Sequence, residues 1–248
     1  MTMIKRFVPN KLKNKVRHLI YKFLKIEYSA SGVPIEIIKK LPNNIPINFI
    51  DIGANIGSFS KKLGSQYSIN KGILIEPINS LIPELIRNFS NKNKFTILNC
   101  AVSDIESETD FFLNEEHNYV SSLLPIYANS DELKSLNLKQ SKTIKIKTRT
   151  LDSIIESEGL NKIDLIKIDV QGAEHLVLKS AIKTLKITKL VYTEFSFRRL
   201  YQNSSTFYDL YNILNANNFM LIDISQGYKS LNGELLQGDA LFVNRDFI

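Results

Sequence analysis

The stretch FIDIGANIGSFSKKL, residues 49–63, decides the fold of this chain. It passes from a β-favouring apolar segment through Asp51 into a turn with two glycines, and then into a helix-like pattern. A glycine turn between a strand and a helix is where many nucleotide-binding folds hold a phosphate group. An acid at this junction would repel a phosphate, so the stretch predicts a ligand of different charge.

The turn does not match the dinucleotide fingerprint G-x-G-x-x-G, because Asn55 and Ser58 occupy its third and sixth positions when counted from Gly53. The chain instead carries D-x-G-x-N-x-G, with Gly53 for the sharp turn and Gly57 where a ligand or the sheet comes close. This pattern suits S-adenosylmethionine, which has a sulfonium, an ammonium group and no phosphate. Asp51 would hold its amino-acid end directly or through water, and a turn or capping role for Asp51 is the alternative.

A second carboxylate, Glu76, ends the next predicted strand in GILIEPINS, 25 residues after Asp51. It can accept hydrogen bonds from both hydroxyl groups of a ribose, and Pro77 would lie against a purine. After the third strand, NCAVSD brings backbone amides at Ala101 and the carboxylate of Asp104 to the same edge, where Asp104 would accept from the adenine amino group. The alternatives are a solvated turn acid for Glu76 and a cap for Asp104.

Length and composition predict one large α/β domain, because the chain has 248 residues of which 44% are hydrophobic. The lone Cys100 excludes an internal disulfide and a multi-cysteine metal site, and it fits a buried strand position. No uncharged apolar run approaches the roughly 18 residues of a membrane-spanning helix, so we expect a soluble, cytoplasmic protein. The sequence leaves the oligomeric state open.

The formal net charge of +7 points to acidic partners, including a phosphorylated or nucleotide-linked substrate. The excess lies in residues 3–25, where apolar positions recur at helical spacing against a basic face. We expect either a helix packed on the domain or peripheral contact with an anionic membrane. Nucleic acid is not an expected partner, because no basic stretch is interleaved with aromatic residues and the chain has no tryptophan.

From residue 47, short apolar runs alternate with longer amphipathic ones, which indicates a parallel sheet with crossover helices at 45–248 after a basic helical extension at 1–44. Strands are predicted near 47–52, 72–76, 95–100, 163–169, 188–195, 219–225 and 240–244, and helices near 56–66, 80–90, 151–158, 173–185 and 205–217. TDFFL at 109–113 and TIKIKT at 143–148 alternate with period two and are expected to pair antiparallel around a polar insertion at 114–142.

Six motifs occur together in this order: FIDIGANIGSFS, LIEPINS, NCAVSD, TLDSI, IDLIKIDVQGAE and VYTEFSF. Over residues 45–245 they make the chain resemble the FkbM family of S-adenosylmethionine-dependent methyltransferases. The resemblance implies a class I methyltransferase fold, a Rossmann-like three-layer α/β sandwich around a seven-stranded, mostly parallel sheet with an antiparallel last strand. It also implies O-methylation of a hydroxyl on a sugar or a related natural-product scaffold, such as a cell-surface polysaccharide.

The chain departs from the family pattern in two places. Many members carry Glu where this chain has Gln171, so a role for that carboxylate is lost. The basic N-terminal segment and the loop at 114–142 match no motif, which leaves the identity of the substrate open.

Methyl transfer from a sulfonium needs an aligned substrate oxygen and a base for its proton. Asp169 and Glu194 end the fourth and fifth strands at the carboxyl edge of the sheet, and an antiparallel last strand would bring Asp239 there. These acids are candidates for catalysis without metal, which we favour, or for binding a divalent cation. Asp169 is the first candidate for the base and also a candidate for contact with the methionine part of the cofactor.

Three more titratable residues are weaker candidates for the site. Glu174 opens the helix after the fourth strand, where the helix dipole alone favours an acid. His175 follows it and is expected to turn away from the cleft. His117, in the polar insertion, is either solvated or a general base carried by a closing lid.

Two other classes of protein use a similar sheet. A nicotinamide-dependent oxidoreductase would need the glycine triplet that is missing here. A non-catalytic binding protein with a methyltransferase fold would have no physical reason to keep the strand-end acids Asp51, Glu76 and Asp169. Calorimetry with S-adenosylmethionine and with NAD separates these hypotheses.

Overall fold

The computed structural model describes residues 33–42, 44–89, 93–127, 142–227, 229 and 233–248. The predicted basic helix at 3–25 and residues 128–141 of the predicted insertion lie outside these ranges. Within them, no helix is both long enough and apolar enough to cross a membrane.

The helices are α1 (Ile35–Lys40), α2 (Ser58–Gln66), α3 (Ile82–Phe89), α4 (Leu151–Glu158), α5 (Glu174–Lys179), α6 (Ile182–Lys186) and α7 (Phe207–Ala216), with 3-10 turns at Asn79–Leu81, Asn118–Val120 and Arg245–Phe247. The strands are β1 (Ile47–Ile52), β2 (Ile69–Ile75), β3 (Phe95–Leu98), β4 (Ala101–Val102), β5 (Glu108–Leu113), β6 (Lys142–Arg149), β7 (Ile163–Ile168), β8 (Thr188–Ser196), β9 (Phe219–Gln226) and β10 (Gln237–Asn244).

Seven strands form the central sheet in the order β3-β2-β1-β7-β8-β10-β9. Strand β10 runs antiparallel to both β8 and β9, and the other pairs are parallel. The sheet therefore confirms the predicted fold, including the antiparallel last strand. Its carboxyl edge carries the ends of β1, β2, β7 and β8 together with the beginning of β10.

Helices cover both faces of this sheet because successive strand residues enter different cores. Phe49 belongs to the core that contains Leu63 of α2 and Phe89 of α3. Ile50 belongs to the opposite core, with Ile154 of α4 and Leu210 among its members. Burying both faces needs a helical layer on each side, which gives the three-layer sandwich.

A second sheet has the order β4-β6-β5. As predicted, TDFFL and TIKIKT pair antiparallel, with Thr109 opposite Ile146 and Phe111 opposite Ile144. The third predicted strand is two residues too long, because β3 ends at Leu98 and β4 pairs with β6 instead. The buried Ala101, Phe111 and Ile146 pack with Ile78, so this sheet forms one wall beside the end of β2.

The helix predicted at 173–185 is wrong as a single element, because the structure divides it into α5 and α6. Asp152 lies at the start of α4, and its Oδ1 accepts hydrogen bonds at 2.8 Å from the backbone N–H of Thr184 and at 2.7 Å from its hydroxyl. Its Oδ2 accepts from the N–H of Lys183 at 3.0 Å. These bonds satisfy the free N–H groups of a new helix start, which the local sequence cannot reveal.

Both glycines of the turn after β1 have positive φ, but they meet different neighbours. Gly53 has φ of 78°, and a Cβ there would lie 1.9 Å from the backbone oxygen of Asp169. Gly57 has φ of 80°, and a Cβ there would lie 2.3 Å from the ring of Phe89 in α3. The backbone at Gly57 therefore approaches a helix closely, and the predicted approach of a ligand there stays a prediction.

We expect Gly53→Ala to lower the free energy of unfolding by more than Gly159→Ala. Gly159 ends α4 with a similar φ of 66°, and a Cβ there would have no other atom within 4 Å, so it isolates the backbone strain of about 1–2 kcal/mol. Gly53 adds a clash with a strand end, which costs roughly 1–3 kcal/mol more. Urea denaturation measures both values, and equal losses would contradict the importance of the contact.

Candidate active site

A cleft of about 620 Å³ opens at the carboxyl ends of β1, β2 and β7. This volume falls within the roughly 300–1,000 Å³ of small-molecule sites. Of the residues predicted to bind a cofactor, Gly53, Asn55, Glu76, Pro77, Ala101 and Asp169 line the cleft, whereas Asp51, Gly57 and Asp104 do not. The binding roles of all nine stay predictions.

Glu76 presents a fixed carboxylate to this cleft. Its Oε2 accepts a hydrogen bond from the backbone N–H of Asn55 at 2.8 Å, and its Oε1 accepts from the N–H of Ile78 at 2.8 Å. The residue is 4% exposed, and burial raises the pKa of its carboxyl. Each carboxylate oxygen has two lone pairs, so two acceptor sites remain for a ligand after the backbone bonds are made.

Asp51 lies under the cleft rather than on its surface, with no exposed area. Its Oδ2 accepts a hydrogen bond from the hydroxyl of Ser60 in α2 at 2.6 Å. Its Oδ1 lies 3.5 Å from the Nζ of Lys167 and has no hydrogen-bond partner among the described residues. Contact of Asp51 with a ligand would therefore pass through Lys167 or water, and direct contact does not fit this burial.

Lys167 is one of the cleft residues that the sequence reasoning missed. It lies on β7 beside Asp51 of β1, and its Nζ is 3.1 Å from the Oδ2 of Asp169. Burial lowers the pKa of this lysine, but the carboxylates of Asp169 and Asp51 outweigh burial and raise it. Its place two residues before Asp169 was the available signal, because alternate strand residues share one face of a sheet.

The amide of Gln171 joins two of the predicted acids. Its Nε2 donates to the Oδ1 of Asp169 at 2.9 Å and to the Oε2 of Glu194 at 3.0 Å. Its Oε1 accepts from the hydroxyl of Tyr201 at 3.2 Å. Asp239 lies directly opposite Glu194 in the β10–β8 pairing, so the structure brings all three predicted acids into one neighbourhood.

The pKa values of these acids are driven in opposite directions. Burial works to raise the pKa of Asp169, but the ammonium of Lys167 and the amide of Gln171 bring it below its ordinary value. Burial and the charge of Asp169 raise the pKa of Glu194 well above its ordinary value. Burial likewise raises the pKa of Asp239. Once ionised, the carboxyl group with the higher pKa is the stronger base, which favours Glu194 over Asp169 as the proton acceptor.

Gln171 owes its place to a buried acid in the next helix. Glu174 is 3% exposed, and its Oε1 accepts from the backbone N–H of Val170 at 3.2 Å and of Gly172 at 3.0 Å. These bonds fix the turn in which Gln171 has φ of 57°. Burial raises the pKa of Glu174 to about 7. The sequence suggested only stabilisation by the helix dipole for Glu174. The structure shows that Glu174 also holds the preceding turn in place through backbone hydrogen bonds.

Glu194 and Asp239 are not among the residues that line the cleft, and neither are three other titratable residues. Asp104 is exposed and accepts a hydrogen bond from the hydroxyl of Ser103 at 3.2 Å. His117 does not line the cleft, and its Nδ1 is 3.3 Å from the hydroxyl of Tyr119, which does. His175 also stays outside the lining. In the part of the chain that the structure describes, no group of three His, Cys, Asp or Glu residues is placed to hold a metal ion.

Comparisons with known proteins agree with this fold. The family model for the methyltransferase FkbM domain matches residues 51–221. The chain is 27% identical over 180 residues to the 2-O-methyltransferase NoeI of Sinorhizobium fredii. This match covers 70% of this chain and 73% of the relative. It is also 27% identical over 161 residues to the methyltransferase sdnD of Sordaria araneosa. That match covers 55% of this chain and 61% of the relative.

Among solved structures, the chain is similar to the crystal structure of methyltransferase FkbM from Methylobacillus flagellatus, with a TM-score of 0.56 at 17% identity. The match covers 89% of this chain and 49% of that protein, so this chain spans about half of its length. A putative S-adenosylmethionine-dependent methyltransferase from Listeria monocytogenes matches with a TM-score of 0.50 at 8% identity, over 85% of this chain and 97% of that one. These likenesses show a shared fold.

We expect Gln171→Glu to make stability depend more strongly on pH. The introduced carboxyl would lie beside Asp169 and Glu194, which raises its folded pKa above the unfolded value of about 4.3. Its ionisation then destabilises the folded state as the pH rises, by about 1.4 kcal/mol for each unit by which the pKa is raised. Denaturation between pH 4.5 and 8 should show the loss relative to wild type growing with pH.

The matched control is Gln237→Glu, because the Nε2 of Gln237 is 3.5 Å from the same oxygen of Glu194. The longer distance predicts a smaller dependence on pH. A loss at Gln171→Glu that is the same at every pH would mean that the amide does not mediate between the two acids.

Proposed function

Because the chain belongs to the FkbM family of methyltransferases, we propose that it is an S-adenosylmethionine-dependent O-methyltransferase that acts on a hydroxyl group of a sugar or glycan. The observation that carries the cofactor assignment is the Glu76 carboxylate, which two backbone N–H groups hold at the cleft with acceptor sites to spare. That arrangement suits the paired hydroxyls of a ribose.

The charges around the cleft also fit this cofactor. Asp51, Glu76, Asp169 and Glu194 lie around Lys167, and Lys62 is the other lysine among the described residues that line the cleft, so four acids face two cations there. A ligand with a sulfonium and an ammonium group is attracted by such a set, whereas the phosphates of NAD are repelled. This observation supports the methyltransferase over the nicotinamide-dependent oxidoreductase.

When bound, the cofactor supplies a methyl group that its sulfonium already activates. The chain must therefore orient the acceptor hydroxyl and take up its proton. We assign proton acceptance to Glu194, whose pKa is raised, and ligand binding to Asp169, which Lys167 neutralises. This differs from the sequence-based preference for Asp169, because Lys167 was not part of that reasoning. We keep the metal-free mechanism, because the Gln171 amide already supplies hydrogen-bond donors between these acids.

Two observations support a sugar hydroxyl as the acceptor. The relative NoeI bears the name of a 2-O-methyltransferase. The cleft is also lined by residues whose side chains can bind hydroxyls, namely Asn118 with its amide and Tyr119 with its phenol. The net charge of +7 suits a phosphorylated or nucleotide-linked sugar. A methyl-label transfer screen over sugar nucleotides and cell-surface glycans, with and without a chelator, tests substrate class and metal use together.

We further propose a cytoplasmic location with peripheral membrane contact through residues 3–25.

Calorimetry with Glu76→Gln tests the cofactor site. The variant keeps the shape but loses an acceptor oxygen, so we expect the Kd for S-adenosylmethionine to rise about tenfold or more. Its free energy of unfolding should also fall by roughly 1–3 kcal/mol, because Asn55 or Ile78 loses an acceptor. Asp110→Asn, which removes an exposed carboxylate that pairs with Lys145 and does not line the cleft, should leave the Kd unchanged. An unchanged Kd in Glu76→Gln removes Glu76 from the site, and tight binding of NAD by the wild type would overturn the proposed function.

The pH dependence of turnover separates the base from the binder. Glu194→Gln should lower kcat by roughly 10²–10⁴ while the Kd for cofactor changes little. Asp169→Asn removes the neighbouring charge that raises the pKa of Glu194. The acidic limb of its kcat profile should therefore move to lower pH. Asp239→Asn is the matched control on the other side of Glu194, and it should move the limb in the same direction.

If Asp169→Asn abolishes turnover at every pH while Glu194→Gln retains it, the base is Asp169. A chelator that abolishes wild-type activity, with recovery on adding Mg²⁺ or Mn²⁺, would favour the cation mechanism instead.

A further inference from the structure

Lys167 lies in strand β7, and its side chain lines the cleft. It is the direct neighbour of Asp51 in the β1–β7 pairing, and it shares a sheet face with Asp169 two residues later. Its side chain is 12% exposed and lines the cleft. The ring of Phe59 lies 5.9 Å from the ammonium, so an aromatic face packs against one side of the charge.

The hydrogen bonds of this ammonium group are incomplete. A lysine carries three N–H donors, and the Oδ2 of Asp169 accepts one of them at 3.1 Å. The Oδ1 of Asp51 is 3.5 Å away, which is beyond the usual 2.7–3.2 Å of such a bond, and it has no partner among the described residues. Lys167 therefore keeps donor capacity at the cleft surface, although two carboxylates are close enough to hold it charged.

Asp169 and Lys167 together present opposite charges side by side. The side chain of Asp169 is 39% exposed, whereas Asp51 is fully covered. A ligand that approaches this point meets one carboxylate and one ammonium group 3.1 Å apart. An α-amino acid carries the complementary pair, an ammonium group and a carboxylate on one carbon atom. A ligand of this kind can place its two charged groups against Asp169 and Lys167 in one orientation.

We propose that Lys167 binds the carboxylate of the amino-acid end of S-adenosylmethionine while Asp169 binds its ammonium group. The inference rests on the proposed function, and it assigns to Lys167 a direct contact instead of simple compensation of Asp51. The ligand carboxylate is attracted by Lys167 and repelled by Asp51 and Asp169, so the ammonium group of the ligand must be present for binding. Recognition of the whole zwitterion, and not of a lone carboxylate, follows from this set of charges.

Decarboxylated S-adenosylmethionine tests the contact, because it keeps the sulfonium and the amino group and lacks only the carboxylate. By calorimetry, the wild type should bind it about tenfold or more weakly than S-adenosylmethionine. Lys167→Met should reduce the affinity for S-adenosylmethionine by a similar factor and leave the affinity for the decarboxylated ligand within about threefold. Asp51→Asn is the matched control, since it removes a neighbouring charge but keeps the ammonium group, and it should preserve the preference of the wild type.

Lys167→Met alone leaves two carboxylates without their cation and could fail to fold. The double variant Lys167→Met with Asp51→Asn keeps the net charge of the cluster and allows the same comparison of ligands. Its affinities for the two ligands should be nearly equal. The inference is overturned if the wild type does not discriminate between the ligands, if Lys167→Met loses the same factor for both, or if the folded double variant still prefers the carboxylate. A wild type that binds neither ligand would instead overturn the proposed function.

Discussion

The contact between Gly53 and the backbone oxygen of Asp169 sets the geometry of the cleft. No side chain fits between them, because a Cβ at Gly53 would lie 1.9 Å from that oxygen. Beside this contact, the N–H of Asp169 donates to the carbonyl of Ile52 at 3.0 Å, so the ends of β1 and β7 stay paired as the chain leaves the sheet. This pairing places Asp51, Lys167 and Asp169 next to one another. It also leads the glycine turn toward Glu76, whose carboxylate accepts from Asn55.

Gathering this many acids at one sheet edge is costly, since each buried carboxylate loses hydration and repels the others. The structure offsets the cost acid by acid. Backbone N–H groups hold Glu76 and Glu174, a hydroxyl and an ammonium group face Asp51, and the Gln171 amide joins Asp169 to Glu194. Because the donors differ, the pKa values differ, and one acid can bind while another accepts a proton. The different roles of these chemically similar acids thus depend on which hydrogen-bond donors surround each carboxylate.

The described first part of the insertion, residues 114–127, connects the acids to the side where a substrate would lie. The hydroxyl of Ser122 donates to the carbonyl of Gln171 at 2.8 Å, and the hydroxyl of Tyr201 donates to the carbonyl of Val120 at 3.0 Å. The single proton of this hydroxyl is shared between that carbonyl and the Oε1 of Gln171, which lies 3.2 Å away, so one tyrosine contacts both this segment and the bridging amide. A change in this segment would therefore alter the positions of Gln171 and the acids that it contacts. In the proposed mechanism this links substrate recognition to the proton acceptor.

The sequence by itself determined the sheet, because hydrophobic alternation and glycine turns are local signals. These signals placed Asp51, Glu76 and Asp169 at strand ends. The antiparallel last strand, which brings Asp239 opposite Glu194, was implied by the resemblance to the FkbM family. Only the tertiary structure decided what each acid touches. Asp51 is covered by Ser60 and Lys167, and Asp152 divides a helix through a bond to a residue 31 positions away in sequence. The role of Gln171 depends on partners at positions 169, 194 and 201. Hydrogen bonds and charge pairs between distant segments exist only after the chain has folded, so the pattern of residue types fixes where an acid lies but not whether it binds or accepts a proton.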